Sequence, residues 1–223
     1  MENIVCVKTY EEPAVNKKEI LRYAGVGEET REVTKLLEKC LLEVREKLTY
    51  KVSFCEMRIK RDGVMLDFGF LKTNSKKLLK NLENCDRIIV FAATVGIEID
   101  RLISKYSKIS PSKALMIDAI GAERIESLCD AFNSDVSKER EQYTKPRFSP
   151  GYGDFSIEHQ KDIFRVLDCQ KRIGLFLNDS MMMSPSKSVT AIIGITNEKY
   201  ELNGRKCDNC DNTDCQFRKE EQK

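Results

Sequence analysis

A chain of 223 residues that is 41% hydrophobic and 33% charged has the balance of a globular protein. That length buries roughly 70% of the unfolded surface without disulfide or metal staples. Its 38 basic residues are interleaved with 36 acidic ones, so a formal charge of +2 makes no electrostatic case for nucleic acid.

In chain order, residues 3–10 (NIVCVKTY) read as a strand and 16–25 as a short helix closed by Gly25. From Glu28 to Leu48 the positions Val33, Leu36, Leu37, Cys40, Leu41, Val44 and Leu48 keep helical spacing, which predicts an amphipathic helix. Residues 50–59 alternate as a strand, and 64–70 continue it after Asp62-Gly63, a hairpin-turn pair. A helix over 75–82 precedes the apolar strand 86–96, and 97–106 leave its small-residue turn as a helix. Pro111 opens a long helix to about Lys138, with Ile117, Gly121, Ile125, Leu128 and Phe132 on one face. Ser156 is expected to cap a helix through Leu167 that ends near Gly174, and 188–196 (SVTAIIGIT) read as a strand. Strands and helices without regular alternation predict an α+β fold rather than a doubly wound sheet.

The apolar run IIVFAA at 88–93 is too short for a bilayer, and the opening residues lack the pattern of a signal peptide. Neither a membrane nor a nucleic acid is expected as a partner. Nine cysteines without such a signal point to the cytoplasm. Cys6, Cys40, Cys55, Cys85, Cys129 and Cys169 sit among apolar neighbours, as small buried side chains do. The single histidine, His159, argues against histidine-rich zinc sites and a Ser-His-Asp triad; a solvated surface role is expected for it.

The stretch RFSPGYGDF (147–155) cannot be regular structure, because Pro150 removes a donor and Gly151 and Gly153 relax the backbone. Arg147 offers a planar fork for a carboxylate, Gly151 lets backbone N–H groups approach a ligand, and Tyr152 adds a flat face and a hydroxyl. Three methionines (181–183) and Ser184-Pro185-Ser186 stand just before the last strand, an adaptable apolar wall. These residues fit a polar zwitterion or a nucleoside, or simply a connecting loop over core methionines. Gly121 costs about 1 kcal/mol against alanine inside a helix, which close packing or an approaching ligand would offset. Gly96, between strand and helix in TVGIEID, reads as a turn more readily than as an anion site.

R-x-x-x-G-Y at 147–152, Leu167-Asp168, S-M-M-M-S-P at 180–185, the strand 188–196 and Tyr200 together resemble the reactivation domain of cobalamin-dependent methionine synthase. EILRYAG, FAATVGIEID and DAIGAERIE resemble segments of its stand-alone forms. The resemblance implies a C-shaped α+β domain, residues 1–202, with a twisted antiparallel sheet flanked by helices. It implies binding of S-adenosylmethionine and support of the reductive methylation of cob(II)alamin on a separate methionine synthase or other corrinoid protein. A flavodoxin- or ferredoxin-like donor would supply the electron. The ligand site it implies is Arg147, Ser149, Gly151, Tyr152, Tyr200, Met183 and an acid of the long helix, Glu126 with Asp135 as the alternative; Glu19 is a further acidic candidate. Ser184 stands where the full-length enzymes carry Trp, and Lys187 where they carry a small residue. No cobalamin, homocysteine or folate module accompanies the domain, so it is not expected to make methionine alone.

A tail from 203 to 223 carries C-x2-C-x4-C at Cys207, Cys210 and Cys215. Three thiolates so spaced can hold zinc or an Fe–S cluster, with a remote thiol such as Cys169 as a fourth ligand, or can remain a reduced, metal-free tail. A filled site would make a redox accessory protein docking on a corrinoid methyltransferase the rival reading. A non-catalytic module that only binds a corrinoid protein is a third.

Overall fold

The computed structural model describes residues 4–198. β1 (Cys6–Tyr10) leads into α1 (Lys17–Tyr23) and α2 (Arg31–Val44), whose first turns are capped by Asn16 and Thr30 through side-chain oxygens. The long β2 (Tyr50–Arg58) is followed by the short β3 (Lys60–Asp62), β4 (Met65–Asp67) and β5 (Lys72–Thr73). The Asp62-Gly63 pair turns β3 into β4, with Gly63 at φ +56°. Then come α3 (Lys76–Asn81), β6 (Arg87–Thr94), α4 (Glu98–Tyr106) and the 30-residue α5 (Pro111–Arg140). The chain closes with β7 (Tyr143–Thr144), α6 (His159–Leu167), α7 (Cys169–Ile173), β8 (Phe176–Leu177), β9 (Met183–Ser184) and β10 (Ser188–Thr196).

The expected α+β fold with an antiparallel sheet and flanking helices is what forms. Five strands pair antiparallel in the order β1-β2-β6-β10-β7 and the sheet curls. Because side chains alternate along a strand, β6 serves two cores. Ile89, Phe91 and Ala93 pack with α1, α2, α4 and α5, whereas Ile88, Val90 and Ala92 pack with residues of α3, α6 and α7. That two-sided burial explains why β6 is a continuous apolar run.

Four features differ from expectation. Helix α5 is buried on several sides rather than along one stripe: Met116, Ile120, Cys129 and Val136 are covered as well as the predicted face. The helix after residue 156 starts at His159, and Ser156 Oγ accepts from Glu158 N before it. It breaks at Asp168, φ +48°, because Leu167 and Cys169 must both reach the same core. His159 is only partly exposed, its ring stacked on Phe155 at 4.9 Å, where a solvated position was expected. The two-residue β7, and the hairpin of β8 and β9 in the methionine segment, carry too few residues for a periodicity to show.

Five of the six scattered cysteines within the described residues are buried, Cys6 is exposed, and none of the six is in a disulfide. Cys169 has no solvent exposure and burial pushes its thiol up to about 12, a poor offering to a metal on the tail.

Two charges sit inside α5. Arg124 has no exposure and Glu123 has 2%. The guanidinium meets both Glu123 carboxylate oxygens (2.6 and 2.7 Å) and donates to Pro13 O (2.6 Å) and Ala14 O (2.9 Å). Glu123 Oε1 also accepts from Asn16 N and Ser127 Oγ. The pair therefore ties the segment leading into α1 to the middle of α5. Arg124→Met should destabilise the fold by about 3–5 kcal/mol, because it strands a buried carboxylate; Arg124→Met/Glu123→Leu should recover part of that loss. Denaturant midpoints check this, and a loss below 1 kcal/mol for the single variant would show the pair to be dispensable.

Candidate functional site

Extended backbone carries Lys145 to Phe148 along the edge of β10, where Lys145 N donates to Gly194 O and Phe148 exchanges both backbone bonds with Ile192. The bridges Thr144–Ile195 and Phe148–Ile192 are offset by one residue, so this edge bulges, and Arg147 and Phe148 leave it on opposite faces of the sheet. Phe148 joins the α3–α6–α7 side. Arg147 meets α5: its Nη1 lies 2.6 Å from Asp130 Oδ1 and its Nη2 2.8 Å from Glu126 Oε2. Glu126 and Asp130 are one helical turn apart, hence on one face. The Arg147 side chain is 8% exposed, against 45% for Glu126 and 74% for Asp130. Burial alone would weaken the guanidinium's hold on its proton, but nearby Cys129, Glu126 and Asp130 outweigh it and Arg147 stays charged.

The end of α1 borders this cluster. Burial first, and the Glu126 carboxylate second, raise the Tyr23 hydroxyl above its ordinary value. Arg22 lies over the Tyr23 ring at 4.5 Å and pairs with Glu19 at 2.8 Å. Of the two acids expected on α5, Glu126 is thus at the arginine. Asp135 is held instead by Lys8 at 2.7 Å.

The loop after Arg147 is closed on itself. Gly151 N donates to Phe155 O (2.8 Å), Tyr152 N to Ser149 O and Phe155 N to Tyr152 O, so the Gly151 N–H anticipated for a ligand is engaged within the loop. Glycine is needed at 151 for its φ of +89°, and a Cβ there would stand 3.1 Å from Ile157 Cδ1. The Tyr152 side chain stays 70% exposed beside Phe148. Asp154 fastens the loop to α3: its carboxylate accepts from Ser75 Oγ (2.5 Å), Lys76 N (2.7 Å) and Lys77 N (3.2 Å). The hydroxyl of Ser75 and then the two backbone N–H groups hold its pKa below the usual carboxylate value.

Met183, in β9, packs with Phe148 against the core on the face opposite Arg147, and Met182 is exposed. The loop from β9 to β10 is tied down at its other end. Asp100 accepts from Ser186 N and Ser186 Oγ, and Lys187 Nζ lies 2.8 Å from Asp118 Oδ1. The Lys187 stem crosses Gly121, where a Cβ would come within 2.8 Å of Ile99 Cγ2 and 2.9 Å of Lys187 Cγ. Close packing therefore accounts for Gly121. Gly96 is a tight turn likewise, since a Cβ there would meet Thr49 Oγ1 at 2.6 Å. Tyr200, Cys207, Cys210, Cys215 and the boundary expected at 202/203 lie outside the described residues. Among the described residues no three His, Cys, Asp or Glu side chains group as metal ligands, and no helix is long and apolar enough to cross a membrane.

A family model described as the activation domain of vitamin B12 dependent methionine synthase matches residues 78–220, more than half of the chain. The chain belongs to that family. The matched segment holds α5, the 147–155 loop and β10. Among curated proteins none matches in sequence. A solved structure described as the MetH reactivation domain bound to AdoHcy aligns with a TM-score of 0.64 at 16% identity. The alignment covers 88% of this chain and 80% of that one, so the two share a fold. Within this activation domain, sequence reasoning missed Asp130, Tyr23 and Asp154. The four-residue step from Glu126 was a legible signal for Asp130; Asp154 gave none, because its partners lie far away along the chain.

Asp154→Ala should lower the melting temperature at pH 7 by freeing the loop from α3. A depressed carboxylate stabilises above its unfolded pKa of about 4 and loses that effect as the pH falls through the folded value. Wild type and variant should therefore converge in acid. A melting gap that stays constant from pH 7 to pH 2 would exclude the carboxylate as the cause.

Proposed function

We propose that this chain binds S-adenosylmethionine and supports reductive methylation of cob(II)alamin carried by a separate methionine synthase or related corrinoid protein. Membership of the activation-domain family supports the reading, as does a structural neighbour whose description names AdoHcy. The observation that carries it is the meeting of Arg147 with Glu126 beside the Arg147–Tyr152 loop. One guanidinium and two carboxylates offer partners for both ends of an amino acid zwitterion, and this donor set fits the methionine part of the ligand. The exposed Tyr152 offers a face to the nucleoside, and Ser149 lies in the turn between them. Tyr200 completes the site by resemblance.

S-adenosylmethionine brings a methyl group on a sulfonium, and an external flavodoxin- or ferredoxin-like donor brings the electron. The contribution of this chain is positional: rigid elements hold the sulfonium so that its methyl can face a corrinoid docked over the site. Calorimetry should detect S-adenosylmethionine binding. Arg147→Ala should weaken it at least tenfold through loss of a charge-assisted contact. With a cob(II)alamin protein and a reductant, wild type should speed the appearance of the methylcobalamin spectrum. No binding at millimolar ligand, or equal rates with and without the protein, would overturn the proposal.

The motif at Cys207, Cys210 and Cys215 supports a second reading, in which a metal on the tail passes electrons to the corrinoid partner. Protein purified without oxygen should then carry iron and a broad visible band, both lost in Cys207→Ser/Cys210→Ser. Zinc in colourless protein would mark a structural clip, and neither metal would leave function with the Arg147 cluster.

A further inference from the structure

His159 is the single histidine of the chain, and nothing in the proposed chemistry uses it. It opens α6, a helix pinned to the core by Ile163 and Leu167, neither of which has any solvent exposure. Its Nδ1 lies 3.5 Å from Asp162 Oδ2, three residues on, and its side chain keeps only 21% exposure. The imidazole is therefore a plate held by a rigid element. Phe155 lies against that plate, with 4.9 Å between ring centres and 24° between planes, and is itself 1% exposed. The Phe155 ring also meets Phe148 at 6.2 Å, where Phe148 is bonded to the edge of β10.

Phe155 is at the same time the residue that closes the loop. Its carbonyl accepts from Gly151 N at 2.8 Å, and its N–H donates to Tyr152 O at 3.0 Å. Glycine admits many conformations, so with Gly151 at φ +89° and Gly153 at φ +58° these bonds select the shape of the turn. Tyr152, 70% exposed, has little packing of its own to hold it. Asp154 ties the loop to α3, but a single tether leaves the loop free to turn about it. We infer that His159 is a positioning residue for Tyr152. Its ring fixes Phe155, and Phe155 through two backbone bonds fixes Gly151 and Tyr152 for the nucleoside of the proposed ligand. Stacking asks only for a flat ring, so a phenyl group should serve at 159 where a methyl group should not. The ligand half of this inference rests on the proposed function; the loop half does not.

Two measurements on the full chain separate the halves. Hydrogen exchange at the amides of Gly151, Tyr152 and Phe155 should quicken about fivefold or more in His159→Ala and stay near wild type in His159→Phe. Calorimetry should show S-adenosylmethionine binding weakened about threefold or more in His159→Ala and kept within about twofold in His159→Phe. In a Tyr152→Ala background, His159→Ala should add less than about twofold, since the side chain it positions is gone. Unchanged exchange in His159→Ala, or an equal loss of affinity with and without the Tyr152 side chain, would overturn the inference. So would a His159→Ala protein that melts lower yet binds and exchanges like wild type, because His159 would then support the fold alone. Exchange that follows the expected pattern in a protein that binds no S-adenosylmethionine would remove the ligand reading and leave the positioning of the loop standing.

Discussion

A charged pair inside the longest helix constrains everything around the site. Arg124 and Glu123 sit in the middle of α5 with almost no solvent, and burial of two such charges is tolerated only when their hydrogen bonds are met. The partners come from Pro13, Ala14, Asn16 and Ser127, so satisfying the pair fixes where the segment before α1 crosses α5. Asn16 is also the residue that caps α1. The direction of α1, and with it the placement of Glu19, Arg22 and Tyr23 beside Glu126, therefore follows from a polar contact within an otherwise apolar layer.

Helix α5 can then serve two tasks on different sides. Ile117, Ile120 and Leu128 fill the core against the sheet, while Glu126 and Asp130 reach the Arg147 edge. Gly121 brings α4 and the Lys187 stem unusually close to the helix. The same backbone that packs the core thus also sets the spacing between the Lys187–Asp118 contact and the Arg147 cluster.

The elements most legible in the sequence were those whose burial forces a period on the chain. β2, β6, β10 and α2 carry that period and form where it predicts them, α2 being shorter at both ends than the expected 28–48. Glu123 and Arg124 were illegible for the opposite reason: both residue types are normally solvated, and nothing local marks them as buried. β7 is two residues long and owes its conformation to β10, a long-range contact. At the site, R-x-x-x-G-Y marked the 147–152 loop, and of the two acids named on α5 it is Glu126 that meets Arg147. That Arg147 faces α5 while Met183 packs on the other side depends on a one-residue bulge of the edge strand, and composition cannot give its phase.

That bulged edge couples the two faces of the sheet mechanically. Arg147 and Phe148 are consecutive, one held by carboxylates of α5 and the other packed near Phe155, Tyr152 and Met183. Hydrogen bonds to Ile192 anchor the backbone between them. A pull on the guanidinium therefore cannot be absorbed on one side alone. The shared peptide unit acts as a lever whose fulcrum is β10, and its far arm rests on the aromatic rings that carry the exposed Tyr152.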